Sequence, residues 1–172
     1  MSNPLDPVIG WFSVTRDCMR ITSRVLERGI RDAITPKHVF SQRSVPESLA
    51  SVEEAKTQVE DFVVLALVST FERCVRDFLA GLPRNAASGT TPLDEAVRTE
   101  LLKDLEFWRL SDRLLAVFAA HLPAQLIGQV KQVVEYRNWI AHGRSAAKTP
   151  TNVVPQYAYK VLSEFLQQAG II

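Results

Sequence analysis

The chain has 172 residues, 47% of them hydrophobic and 23% charged, with two cysteines and 20 Lys and Arg against 19 Asp and Glu. That length suits one domain with a core large enough to fold unaided, and the composition excludes extensive disorder. Cys18 and Cys74 exclude a disulfide framework and a C-x-x-C motif, and the longest aliphatic-aromatic run, residues 62–68, is far below the roughly 20 residues of a membrane helix.

No basic region followed by an apolar stretch opens the chain, so a cytoplasmic protein without a membrane partner is expected. The net charge of +1 divides unevenly. Residues 1–46 carry seven bases and four acids, residues 47–106 six bases and twelve acids, and residues 107–172 seven bases and three acids. Two basic ends flank an acidic middle, which predicts one basic and one acidic face if the ends meet in space.

Helical periodicity dominates from the start. Residues 8 to about 32 set Ile9, Phe12, Met19, Val25, Leu26 and Ile30 on one apolar stripe. Arg16, Arg20, Arg24 and Arg28 recur every four residues and drift by about 40° per step along the exposed side. A solvated helix face accounts for that row; a ridge that tracks phosphates is the functional alternative. Residues 35–46 read as a loop. Pro46, with Glu47, Glu53 and Glu54 after it, suits the first turn of a helix that runs to about Leu79, with a kink or break near Ser51. Its buried candidates are Val59, Phe62, Val63, Leu65, Ala66, Ser69 and Val75. Residues 81–83 and 85–92 read as a loop.

An acidic amphipathic helix over residues 93 to about 107 follows, then a short helix over 111 to about 121. Pro123 opens a helix bearing Leu126, Ile127, Val130, Val133, Val134 and Ile140, which Gly143 stops in the left-handed conformation. A final helix covers 153 to about 168. No alternating strand pattern or internal repeat is present. The expectation is a single all-α domain over residues 1–172, an antiparallel bundle of four to six helices, with the 8–32 helix an extension of its core.

The chemistry-bearing stretch is residues 135–144, Glu-Tyr-Arg-Asn-Trp-Ile-Ala-His-Gly-Arg. Asn138 and His142 are i,i+4 neighbours on one face of the helix end. Arg137 lies about 140° from His142 around the axis, so the two suit flanking a third group better than touching each other. The carbonyl end of a helix favours an imidazolium, which bears on His142. A histidine serves as base or acid, a guanidinium offers planar donors to phosphate oxygens, and an amide orients either. Together they suit metal-independent cleavage of RNA. A base activates the ribose 2′-OH, a cation stabilises the pentacoordinate phosphorus, and an acid protonates the leaving 5′-oxygen. The sequence presents no carboxylate cluster for magnesium and no thiolate set for zinc, and the chemistry calls for no cofactor. Arg and His also occur at helix ends because they complement the dipole, so a structural explanation stands beside the catalytic one. Tyr136 and Trp139 suit packing better than base stacking, and His38 and His121 are lone histidines without a paired ligand.

Residues 136–143, Tyr-Arg-Asn-Trp-Ile-Ala-His-Gly, resemble the R-N-x-x-x-H signature of the HEPN superfamily in its form with Ile-Ala before the histidine and Gly after it. The nearest branch is similar to the RiboL-PSP-HEPN type of prokaryotic defence and toxin–antitoxin modules. Residues 67–73, Leu-Val-Ser-Thr-Phe-Glu-Arg, resemble the apolar helix ending in an aromatic–Glu pair of several such domains. The signature covers about eight residues, and the helical plan extends the resemblance over roughly residues 50–170. The resemblance implies a homodimer with both signatures facing one cleft. It also implies an endoribonuclease that needs no metal and leaves a 2′,3′-cyclic phosphate and a 5′-hydroxyl. By position, it implies Arg137 and His142 as the catalytic pair, Asn138 as the residue that orients them, and Glu72 as a supporting residue. A subset of these toxins carries a tyrosine two residues after the histidine, where a nucleotidyltransferase antitoxin modifies it. Arg144 stands there instead, which puts that neutralisation in question and adds a phosphate-binding candidate.

The expected partners are therefore RNA, a second copy and an antitoxin protein. One alternative is a non-catalytic helical module that binds RNA, nucleotide or protein through the same cleft. Another is a helical interaction protein whose acidic middle docks a basic partner. The sequence leaves open whether the Arg16, Arg20, Arg24 and Arg28 row shares a face with His142.

Overall fold

The computed structural model describes residues 2–29, 37–85, 91–145 and 149–172. In chain order these form α1 (Asp6–Glu27), α2 (Val45–Asn85), α3 (Pro92–Phe107), a π turn (Leu110–Leu114) leading into the short α4 (Leu115–Phe118), α5 (Ala124–Ala141) and α6 (Pro155–Gln168). The described residues contain no strand, and the protein is an all-α helical bundle.

Local chemistry explains where the helices begin and end. Ser44 donates its backbone N–H and its hydroxyl to Glu47 Oε2, at 2.8 and 2.7 Å, a capping box that opens α2 with Pro46 in the first turn. The break expected near Ser51 does not occur, and α2 runs for 41 residues. Ser51 instead returns its hydroxyl to the Glu47 carbonyl at 3.0 Å, so it stays within the helix. Residues 81–83 and 85, expected as loop, also belong to α2, whereas 86–90 lie outside the described residues. The first helix starts earlier than expected and stops at Glu27, short of residue 32, where Gly29 takes φ +67°. The expected Ile30 and residues 35–36 lie outside the described residues.

The core forms around α2. Val63, Val64, Leu67, Val68 and Phe71 are wholly buried, as are Leu114, Leu115, Val130, Leu162 and Phe165 from the surrounding helices. Phe165 meets Phe71 and Phe118 edge-on, each pair with ring centroids 5.1 Å apart, so one aromatic cluster joins α2, α4 and α6. Each such buried ring contributes about 1.5–3 kcal/mol by leaving water. Phe62 and Ser69, expected inside, are exposed, Phe62 by 60%. A helix with neighbours on several sides buries 63, 64, 67, 68, 71 and 75 rather than a single narrow stripe. Asn3 donates to Ser163 Oγ at 2.7 Å and Tyr159 to Asp6 Oδ1 at 2.6 Å, which fixes the start of α1 to α6. Among the described residues, no helix is long and apolar enough to cross a membrane.

Candidate functional site

Helix α5 lays Val130, Val133 and Val134 into the core and carries the polar signature on its last turns. Its end is a Schellman motif. Gly143 N–H donates to Ile140 O at 3.1 Å and Arg144 N–H to Trp139 O at 2.9 Å. Gly143 sits at φ +79°, the left-handed turn expected of it, and Arg144 follows at φ +58°. A side chain at that second angle costs about 1–2 kcal/mol, so other contacts must hold Arg144 there.

Two carboxylates of α2 bracket this helix end. Asp61 and Glu72 are eleven residues apart, three turns with an offset of only about 20°, so both face α5 with buried Val64 and Val68 between them. At one end Asp61, 5% exposed, accepts the Tyr136 hydroxyl at 2.9 Å and pairs with the Arg144 guanidinium. That guanidinium lies 5.8 Å from the centroid of the Trp139 ring, and Trp139 donates Nε1–H to Ser145 O at 2.9 Å. Burial, then the charge of Glu60, pushes the Tyr136 phenol above its ordinary pKa. Tyr136 and Trp139 thus pack and brace the turn.

At the other end Glu72 accepts Arg137 Nη2–H at 2.8 Å on Oε2 and Arg76 Nη2–H at 2.7 Å on Oε1. Arg137 also donates Nη1–H to Asn138 Oδ1 at 3.0 Å. Arg76 reaches on to the carbonyls of Leu105, Glu106 and Trp108, so the C-terminus of α3 is capped from α2. One carboxylate therefore orients two guanidiniums by charge-assisted bonds, one toward the signature and one toward the facing wall.

Between these elements lies a cleft of about 520 Å³ lined by Glu72, Arg76, Val134, Arg137, Asn138 and His142 on one side and by Phe107 through Asp112 on the other. The structure brings four of the expected residues together here: Arg137, Asn138, His142 and Glu72. Arg137 and His142 share the cleft without a hydrogen bond between them. The His142 imidazole is exposed and has no side-chain hydrogen-bond partner among the described residues. Two buried donors at the cleft, Arg137 Nε and Trp108 Nε1, find no acceptor among the described residues.

Arg144 does not line the cleft, because Asp61 and Trp139 hold it on the other flank of α5. The arginine row does not reach the cleft either. Arg16, Arg20 and Arg24 line a separate cavity of about 380 Å³ with Val52 and Lys56. Lys56 and Glu72 are sixteen residues apart, so α2 turns by about 160° between them and the row lies on its other side. His38 accepts the Phe40 N–H at 3.1 Å on Nδ1, a local turn contact. Among the described residues, no group of three or more His, Cys, Asp or Glu is placed to hold a metal ion.

Asp61, Arg76 and the 107–112 wall were not expected from the sequence. Arg76 carried the one legible signal, its i,i+4 spacing from Glu72. Asp61 meets Arg144 across 83 residues, a separation at which no spacing rule operates. Comparison of the chain with protein-family models, with curated proteins and with solved structures gives no match.

Proposed function

We propose that the chain is a metal-independent endoribonuclease of the HEPN type, acting on RNA as the toxin of a prokaryotic defence or toxin–antitoxin module in the cytoplasm. The observation that carries this reading is the convergence of Arg137, Asn138, His142 and Glu72 on one open cleft. The residues suit attack of the ribose 2′-oxygen on the adjacent phosphorus with rupture of the P–O5′ bond. The products are a 2′,3′-cyclic phosphate and a 5′-hydroxyl. The unpartnered His142 imidazole is free to accept the 2′-OH proton. Arg137, held by Glu72 through Nη2, suits charge stabilisation at the phosphoryl oxygens. A second copy placing its own His142 across the cleft would supply the acid for the leaving oxygen.

A non-catalytic binding module is the second reading. It is favoured by the engagement of Arg137 with both Glu72 and Asn138, which resembles a structural clamp as much as a poised catalyst. The test is incubation of the full chain with mixed RNAs in EDTA, beside Arg137→Ala and His142→Ala. Cleavage by the unaltered chain that falls at least a hundredfold in both variants is the expected result. Equal cleavage by all three proteins refutes the catalytic reading, and RNA binding without cleavage by any of them selects the module.

A further inference from the structure

Phe107 is the last residue of α3 and is 81% exposed, more than any other large apolar side chain among the described residues that the solvent reaches. It does not stand on a random patch of surface. It belongs to the lining of the cleft, together with Trp108, Arg109, Arg137, Asn138 and His142. The backbone beneath it is fixed. Arg76 binds the carbonyls on both sides of Phe107, those of Glu106 and Trp108 at 3.1 and 2.6 Å, and is itself held by Glu72. Hence the carboxylate that orients Arg137 also anchors the segment presenting Phe107. Arg109 follows in extended backbone, and its exposed guanidinium has no carboxylate partner among the described residues.

A rigidly presented aromatic face in water, flanked by an unpaired guanidinium and opposite a second guanidinium, fits an unpaired nucleobase whose phosphates lie on either side. An apolar partner surface would be poorly served by the same wall, because Arg109, Ser111 and Asp112 also line it. We infer that Phe107 is a base-stacking platform of the cleft for an unpaired nucleotide, with Arg109 on a neighbouring phosphate. The inference rests on the ribonuclease reading and deepens it. A duplex keeps its bases stacked inside the helix, so only a looped or single strand offers a base to this ring.

The test uses the His142→Ala chain, to suspend cleavage, and fluorescence anisotropy with a short single-stranded RNA. The same RNA carrying one abasic nucleotide at each position in turn forms the second arm. Phe107→Ala is expected to weaken binding about tenfold, and Phe107→Trp to retain it. The loss should disappear with the RNA that is abasic at one particular position, because the missing base and the missing ring remove the same contact. Unchanged affinity in Phe107→Ala overturns the inference, as does a loss equal for every abasic RNA. So does a dimer, seen by sedimentation, that Phe107→Ala dissociates with RNA affinity intact. Those results leave the ribonuclease reading standing. That reading fails with this one only where neither the His142→Ala chain nor the unaltered chain binds or cuts RNA.

Discussion

The pairing of Asp61 with Arg144 makes an asymmetric prediction, because the two ends of the ion pair sit in different surroundings. The Asp61 side chain is 7% exposed and the Arg144 side chain 45%. Arg144→Ala leaves a carboxylate in the interior with only the Tyr136 hydroxyl for company. Breaking a fully buried pair this way costs about 3–5 kcal/mol. Solvent already reaching the guanidinium reduces that to about 1.5–3 kcal/mol here. Asp61→Asn keeps the volume and the acceptor for Tyr136, and the released guanidinium turns to water, so the cost is about 0.5–1.5 kcal/mol. The double variant should resemble Asp61→Asn alone, since the stranded charge no longer exists. Urea denaturation of the four proteins at neutral pH measures this directly. At 172 residues, each kcal/mol moves the melting temperature by about 2–4 °C, well within reach of calorimetry. If Arg144→Ala costs no more than Asp61→Asn, or if the two losses simply add, the clamp does not hold the turn after His142.

Two other expectations follow from the same helix end. Glu72→Gln weakens both guanidinium contacts and should lower stability by about 1–2 kcal/mol and, on the proposed ribonuclease reading, cut RNA cleavage at least tenfold; cleavage at the rate of the unaltered chain would show that Arg137 is positioned by something else. The folded state holds the Tyr136 proton more tightly than the unfolded chain, whose phenols titrate near about pH 10, so this contribution is complete below that pH and disappears as the pH rises through the folded value. The urea midpoint should therefore fall as the pH rises above about 10, and fall less steeply in Tyr136→Phe, Tyr159 supplying part of the remaining slope; identical slopes would refute the assignment.

What was legible in the sequence was local. Gly143 declared the end of α5 because a helix stop favours the residue that tolerates positive φ, and residues 137–142 on the last turns followed from that stop. The start of α2 was legible through Pro46 and Glu47, because a first turn favours a residue without an N–H and a carboxylate that can cap the N-terminus. Its length was not. Ser51 and Gly81 resemble breakers in isolation, but a helix buried on several sides gains more from packing than either residue costs, about 1 kcal/mol for a glycine. The π turn at 110–114 was also hidden, since its extra-wide bond from Leu114 N–H to Arg109 O leaves no periodic trace in five residues. Arg137, Asn138 and His142 were named from one short pattern and Glu72 from another, yet the bond by which Glu72 holds Arg137 joins α2 to α5 across 65 residues, and only the fold makes that contact.

Charge shows the same division between pattern and contact. The two basic ends of the chain predicted one basic face if they met in space, but Arg144 is neutralised by Asp61 and the α1 row faces another cavity. What remains at the cleft is Arg76, Arg109 and Arg137 against Glu72 and Asp112, a fixed excess of one positive charge before His142 is counted. Such a site attracts one or two phosphates, too few to bind RNA by backbone charge alone. On the proposed ribonuclease reading, discrimination among RNAs then has to come from elsewhere in the cleft. The exposed ring of Phe107, anchored by the same carboxylate that holds Arg137, is the group there with enough uncommitted surface to supply it.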